Sequence, residues 1–326
     1  MNTIYLLSAG SQLRKNGGRI EILEKAQQRI YSILPQDVDS VVAGGHTQIS
    51  TEAMYMLLQN NCQITYIDRR GSVIAYLGDG HQSLEKLLLQ QKAFANIHIV
   101  RKLINDTIGI KIANQRKLLA YYASSMNDPI LWTASKTIKM YEEKLRQCSL
   151  VESARGIEGM ASKIYFEAFG NIFDAKRWDW QGRNRRPPRD PINSMLSYGY
   201  AFLEREVRTG IAGTGLDPRI GFFHSNNGRK DSLVFDLMEM FRQNIIDKFV
   251  LKLINRHSFY PIDFTVDEEI GCRLSEAAGK HWIRYYEDYM EEKRKMLDGL
   301  SWRQYIQQEI GKFAASLTMY SCQEES

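Results

Sequence analysis

The apolar positions of this chain follow two regimes that meet near residue 80. From Thr3 onward, short β-branched or aromatic runs recur: Thr3 to Leu7, Arg19 to Leu23, Ile30 to Leu34, Ser40 to Val42, Ile64 to Ile67 and Val73 to Leu77. Turn chemistry separates them at Lys15-Asn16-Gly17-Gly18, Gln36-Asp37, Gly44-Gly45 and Arg69-Arg70-Gly71. One helix interrupts the strands, with Ser50 or Thr51 as its cap and Ala53, Met54, Leu57 and Leu58 on its inner face. After Gly78-Asp79-Gly80 the period lengthens. Leu84, Leu87, Leu88, Gln91, Phe94 and Ala95 begin a helical pattern that runs, with breaks, to Tyr122. Asp128-Pro129 restarts a helix, Ala161-Ile164-Tyr165-Ala168 marks another, and Asp190-Pro191 supplies a cap and a first-turn proline for a third. The pattern predicts an α+β protein of two domains: a small β-rich domain over residues 1–80 and a large all-α domain over residues 81–326. No internal repeat appears, and the tail from Cys322 is expected to fray.

A chain of 326 residues is long enough for two cores. Its 44% hydrophobic and 25% charged content are those of an ordinary globular protein. No apolar run approaches the roughly 20 residues that span a bilayer. Met1-Asn2-Thr3-Ile4 has no basic n-region, so no signal peptide is expected. Cys62, Cys148, Cys272 and Cys322 are far apart and form no C-x-x-C pair. A disulfide framework or zinc knuckle is therefore not expected, and a cytoplasmic setting is. The net charge of +5 is mild, so its distribution matters more than its size.

The densest chemistry lies late in the chain. Gly221-Phe222-Phe223-His224 precedes a strongly apolar run through Val234, Phe235, Leu237, Met238, Met240 and Phe241 to Ile245, Ile246, Phe249 and Val250. A helix this apolar all round is expected to be buried. It carries Asp236 and Glu239, three apart and so on one face. Buried carboxylates are costly unless paired, hydrogen-bonded or bound to a cation. Two readings follow: an ion pair with Arg242, or ligands, together with His224, for a divalent metal.

Glu158 stands in Gly156-Ile157-Glu158-Gly159, which is expected to open a helix with Ile157, Ala161, Ile164, Tyr165 and Ala168 inward. An acid there can serve the helix dipole. The small Ala161 and Ser162 one turn on would also let another group approach it. Lys176, Arg177, Arg183, Arg185, Arg186 and Arg189 fall within fourteen residues, interleaved with Trp178 and Trp180 and stiffened by Pro187-Pro188. Guanidinium forks suit phosphate oxygens and indoles offer stacking faces, so this stretch is a candidate nucleic-acid contact as well as a candidate solvated loop. His46, His81, His98, His257 and His281 have no partner at useful spacing, and no phosphate-cradling glycine motif follows the glycine pairs. Tyr285, Tyr286 and Tyr289 are expected to pack.

Taken in order, these segments resemble the CRISPR-associated integrase family, the metal-dependent DNA endonuclease of the spacer-acquisition module. The resemblance begins with Leu6-Leu7-Ser8-Ala9-Gly10-Ser11, Gly17-Gly18-Arg19, Asp39-Ser40-Val41-Val42, Gln48-Ile49-Ser50-Thr51 and Tyr66-Ile67-Asp68-Arg69-Arg70-Gly71. It continues with Gly156-Ile157-Glu158-Gly159, then Arg185 to Asn193, Leu196-Ser197-Tyr198-Gly199-Tyr200 and Gly215-Leu216-Asp217-Pro218. It ends with Gly221-Phe222-Phe223-His224 and Phe235-Asp236-Leu237-Met238-Glu239. The resemblance implies that Glu158, His224 and Glu239 are metal ligands for Mg²⁺ or Mn²⁺ and that Asp236 is a further acidic active-site residue. Some members of the family have aspartate where this chain has Glu239. The resemblance further implies an N-terminal β domain that dimerises and a helical domain that holds the site. Its implied partners are double-stranded DNA, as spacer precursor and CRISPR repeat, and a small CRISPR-associated adaptation partner dimer bridging two integrase homodimers. Two other functions fit the same residues from the sequence: a structure-specific nuclease of DNA repair, and a non-catalytic DNA-binding scaffold.

Overall fold

In the computed structural model, residues 3–24, 29–38, 40–67, 73–78, 84–185, 187–224, 231–267 and 269–322 are described. The architecture is α+β, and the chain divides into two compact units, Met1–Gln82 and Ser83–Ser326. Arg69-Arg70-Gly71, Asp79-Gly80, His81, Arg186, Ser225 to Lys230 and the last four residues lie outside the described residues.

The first unit holds β1 (Thr3–Leu6), β2 (Gln12–Asn16), β3 (Arg19–Glu24), β4 (Arg29–Ile33), β5 (Ser40–Gly44), β6 (Gln48–Ile49), α1 (Thr51–Gln59), β7 (Gln63–Ile67) and β8 (Val73–Leu77). One sheet has the order β1-β5-β7-β8, with β1, β5 and β7 parallel and β8 antiparallel to β7. The other has the order β4-β3-β2-β6. β2 and β3 form a hairpin whose turn uses Gly17 at a positive φ of 56°, a conformation glycine adopts without steric cost. The core gathers Leu6, Leu13, Ile20, Val41, Leu57 and Ile64. Ser50 caps α1 by accepting the Ala53 N–H at 3.2 Å, as its position before the apolar stripe predicts. β2 and β6 escape the sequence pattern because Gln12-Leu13-Arg14-Lys15-Asn16 is polar and Gln48-Ile49 is too short to show a period.

The second unit holds α2 (Leu84–Ala95), α3 (Ile97–Met126), α4 (Pro129–Gln147), α5 (Val151–Phe169), α6 (Pro191–Ala212), α7 (Ser232–Met238), α8 (Lys248–Asn255), β9 (Phe264–Asp267), β10 (Gly271–Leu274), α9 (Glu276–Glu291) and α10 (Trp302–Cys322). Asp128 and Asp190 cap α4 and α6 through their carboxylates, and each is followed by proline. α4 and α5 pack along α3, while α6 is buried on most of its length against α7, α10 and β10. Tyr286 and Tyr289 pack inside, whereas Tyr285 stays 44% exposed at the rim.

Three details depart from the periodicity. A short antiparallel hairpin, β9 with β10, sits among the helices; its strands are four residues each, too brief to interrupt a helical reading. The apolar stretch after Ser232 is buried, but it is not one helix. α7 stops at Met238, and a π-type turn over Gln243–Asp247 intervenes before α8. α5 starts at Val151, so Glu158 lies two turns inside the helix rather than at its opening, and a dipole role does not apply. Cys62, Cys148 and Cys272 are not joined in disulfides among the described residues. Among the described residues, no helix is long and apolar enough to cross a membrane.

Gly199 of α6 faces the π-type turn. A Cβ there would meet Ile246 Cγ2 at 2.6 Å and Trp282 Cζ2 at 3.5 Å. Gly199→Ala is therefore expected to destabilise the protein by about 1–3 kcal/mol through overpacking. Urea denaturation should show a lower midpoint; a midpoint equal to wild type would mean that Ile246 yields without strain.

Candidate active site

Asp236 is fully buried in α7 and acts as the acceptor around which the preceding loop folds. Its Oδ2 accepts the backbone N–H of Phe222 at 2.7 Å and of Phe223 at 3.0 Å. Its Oδ1 accepts the His224 N–H at 2.8 Å and lies 2.6 Å from His224 Nδ1. Gly221 makes this approach possible, since a Cβ there would fall 2.6 Å from Asp236 Oδ2. On the other side of the loop, the Arg155 guanidinium donates to the Phe223 carbonyl, from Nε at 2.9 Å. A carboxylate beside Nδ1 makes that nitrogen the donor and leaves Nε2 its lone pair, the form that binds a metal. The imidazole itself is 40% exposed.

Glu239 follows the last residue of α7, where the chain leaves the helix. It is buried, with Oε1 3.2 Å from Arg242 Nε and Oε2 2.7 Å from Lys111 Nζ. Burial works against its charge, but Arg242 and Lys111 outweigh that and hold its carboxyl down at about 2. The same Lys111 ammonium touches Glu158 Oε1, which also accepts from Ser162 Oγ at 2.9 Å. Ser162 in turn accepts from Gln115 Nε2 at 3.1 Å, and Asn114 Nδ2 donates to the Met240 carbonyl at 3.2 Å. The polar face Lys111-Asn114-Gln115 of α3 thus ties α5 to the turn that carries Glu239.

Behind this layer lies a third buried carboxylate, Asp247, at the end of the π-type turn. Tyr200 donates to its Oδ1 at 2.6 Å and Tyr165 to its Oδ2 at 2.7 Å. Arg242 lies over the Tyr200 ring at 4.7 Å and Arg183 over the same ring at 5.5 Å. Burial raises the Asp247 carboxyl and pushes both phenols well above their ordinary range, so the hydroxyls remain donors.

The fold thus brings Glu158 and Glu239 together on one cation, and it places Asp236 against His224. The ion pair of Glu239 with Arg242 is also present. Among the described residues, no three His, Cys, Asp or Glu side chains gather as one metal-holding group. The chemistry of the donors nonetheless fits Mg²⁺ or Mn²⁺: two hard carboxylates already joined by a cation, and an imidazole with a free lone pair. Glu239 Oε2 is buried, with the Lys111 ammonium 2.7 Å from it.

In the basic stretch, Lys176, Arg177, Arg185 and Arg189 are exposed. Arg183 turns inward and donates to Asn193 Oδ1 at 2.7 Å, while Arg186 lies outside the described residues. The indoles are not free stacking faces. Trp178 is buried edge-on to Phe264, and Trp180 packs against Phe169 and Phe173. These rings cover the end of α5, a demand that outranks exposure to a ligand. The Pro188 carbonyl accepts the Cys272 N–H at 2.7 Å, which braces the stretch on the β9–β10 hairpin. Lys111 and Asp247 carry no motif of their own, whereas Tyr165 lies on the predicted inner face of its helix and Tyr200 closes the Leu196-Ser197-Tyr198-Gly199-Tyr200 segment. The available signal for Lys111 was a charge set between Ile108, Ile110 and Ile112 in a helical stripe.

A family model of the CRISPR associated protein Cas1 matches residues 4–288. A "CRISPR-associated endonuclease Cas1 1" from Methanospirillum hungatei is 29% identical over 293 residues, 86% of either chain. Among solved structures, a casposase bound to integration product superposes with a TM-score of 0.85 at 24% identity, over 98% of this chain and 91% of that one. A chain of a Cas6-RT-Cas1–Cas2 complex superposes with a TM-score of 0.84 at 18% identity, over 98% of this chain and 35% of that much longer one. The two superpositions establish the shared fold, and the match of the family model across most of the sequence establishes descent: this chain belongs to the Cas1 family of CRISPR-associated proteins.

Proposed function

We propose that this chain is a divalent-metal-dependent DNA endonuclease and integrase that inserts spacer DNA into a CRISPR array. The observation that carries this reading is the meeting of the buried Glu239 and the half-buried Glu158 carboxylates on a single cation, with the His224 imidazole separately fixed by Asp236. Relatives named as endonucleases, and a structural neighbour named as bound to integration product, support it. A DNA-binding scaffold without catalysis would have no need for carboxylates buried at such cost.

In the proposed reaction, a 3′-hydroxyl attacks a phosphodiester of the repeat. A new phosphorus–oxygen bond forms and the bond to the displaced 3′-oxygen breaks; water in place of the hydroxyl gives nicking. Mg²⁺ or Mn²⁺ held by Glu158, Glu239 and His224 would polarise the phosphodiester and favour deprotonation of the attacking hydroxyl. Asp236 keeps the Nδ1 proton of His224 in place and so presents Nε2. Arg242 and Tyr200 hold Glu239 from behind. Lys176, Arg177, Arg185 and Arg189, with Arg186, would hold the DNA backbone, with an affinity that falls as salt rises. The N-terminal unit is the proposed dimerisation domain. A Cas2-like partner dimer bridging two homodimers would complete a cytoplasmic complex, a reading supported by the neighbour whose name pairs Cas1 with Cas2.

Glu158→Ala, His224→Ala and Glu239→Ala are each expected to lose strand transfer by more than the roughly 10- to 100-fold typical of a group that only orients a ligand. Retained turnover in any folded variant of the three would remove that residue from the ligand set. Targets with and without a CRISPR repeat, run side by side, separate the integrase from a general repair nuclease, which would treat both alike.

Asp236→Asn is expected to fall within that 10- to 100-fold range, because an amide replaces one acceptor oxygen with a donor. The amides of Phe222, Phe223 and His224 should then exchange hydrogen faster than in wild type. Unchanged protection would show that the loop holds its shape without this carboxylate.

A further inference from the structure

Lys111 sits midway along α3, on a helix face shared with Ile104, Thr107, Ile108 and Gln115, and is only 4% exposed. A buried ammonium is unfavourable unless paired. Its two partners are the carboxylates read above as metal ligands: Glu158 Oε1, in direct contact, and Glu239 Oε2 at 2.7 Å. A second cation, Arg242, lies 3.2 Å from Glu239 Oε1. Lys111 and Arg242 therefore balance Glu158 and Glu239, charge for charge. The two cations are held differently. Arg242 is fixed by the Tyr200 ring, whereas a lysine carries its point charge on a flexible four-carbon stem that can swing away.

We propose that Lys111 is a built-in competitor for the metal. Its ammonium joins Glu158 to Glu239 in the metal-free protein and gives up those oxygens when the divalent ion binds, so Lys111 sets the affinity of the site. This rests on the reading of Glu158 and Glu239 as metal ligands. The physical argument is one of shared acceptors: a divalent ion and an ammonium claiming the same two oxygens repel each other, and the ammonium is the one on a tether. Without a metal, the lysine keeps the buried Glu239 and the half-buried Glu158 from facing each other uncompensated. Without it, the pair keeps only Arg242 and becomes net negative, which favours a divalent cation.

The test is calorimetric titration of the full chain with Mn²⁺ alone, comparing wild type with Lys111→Met and Lys111→Gln. Both variants are expected to bind roughly tenfold tighter or more. Both should also melt lower than wild type without metal and gain more from Mn²⁺. Equal affinity in wild type and variants overturns the proposal and leaves the metal site standing. Absence of Mn²⁺ binding in all three overturns the metal reading and the proposal with it. Wild type alone supplies a further readout should the variants not fold: reductive methylation of Lys111, followed by mass spectrometry, with and without Mn²⁺. Displacement predicts faster labelling in Mn²⁺; equal labelling overturns it.

Discussion

Negative charge buried in an apolar helical core is the constraint around which this site is arranged. Asp236, Glu239 and Asp247 lie within twelve residues of one another in sequence, and all three are buried. Each is compensated in a different way. Asp236 is satisfied by three backbone amides and an imidazole, Glu239 by a lysine and an arginine, and Asp247 by two tyrosine hydroxyls. Breaking a buried pair by removing one partner costs about 3–5 kcal/mol, so each set of partners pins the elements that supply it. The loop before His224 is pinned to α7, α3 to α5 and to the turn after α7, and α5 and α6 to the π-type turn.

The break between α7 and α8 lies among these same carboxylates. In an unbroken helix Asp236 and Glu239 would point along one face. Here Asp236 serves the His224 loop while Glu239 reaches across to α3. Glu239 itself keeps a helical backbone as the C-cap of α7, so the two carboxylates diverge through their side chains. The π-type turn then carries Asp247 to the two tyrosines, and such insertions recur at functional sites. Gly199 admits the turn by leaving room for Ile246.

Much of this was legible in the chain. The change from short runs to helical periods after Gly80, the caps Ser50, Asp128 and Asp190, and the burial of the Val234 to Val250 stretch all follow from local chemistry. Asp236, Glu239 and His224 stood out because polar groups in an apolar run need partners. What stayed hidden were the partners supplied from afar. Lys111 lies 128 positions from Glu239, and nothing local marks it beyond its apolar neighbours. The tryptophans misled for a related reason. Trp178 and Trp180 have the composition of a stacking surface, but only the tertiary fold shows Phe264, Phe169 and Phe173 waiting to be covered.

The ring of Tyr200 joins these parts into one unit. Two guanidiniums lie against it: Arg242, which holds Glu239, and Arg183, in the middle of the basic stretch. Its hydroxyl is spent on Asp247. An aromatic face attracts cations most strongly when they are desolvated, and both arginines are drawn inward here. Arg183 is further fixed by Asn193, whose own amide bonds Gly182 and the Asp190 cap of α6. At its far end the stretch is tied by Pro188 to the β9–β10 hairpin. The exposed Arg185 therefore stands between two anchors, Arg183 and Pro188, and the exposed Arg189 directly follows the second. The first anchor lies on the same aromatic ring as the Arg242 that pairs with Glu239. The basic stretch and the acid Glu239 are thus braced against one aromatic ring within a single packed unit.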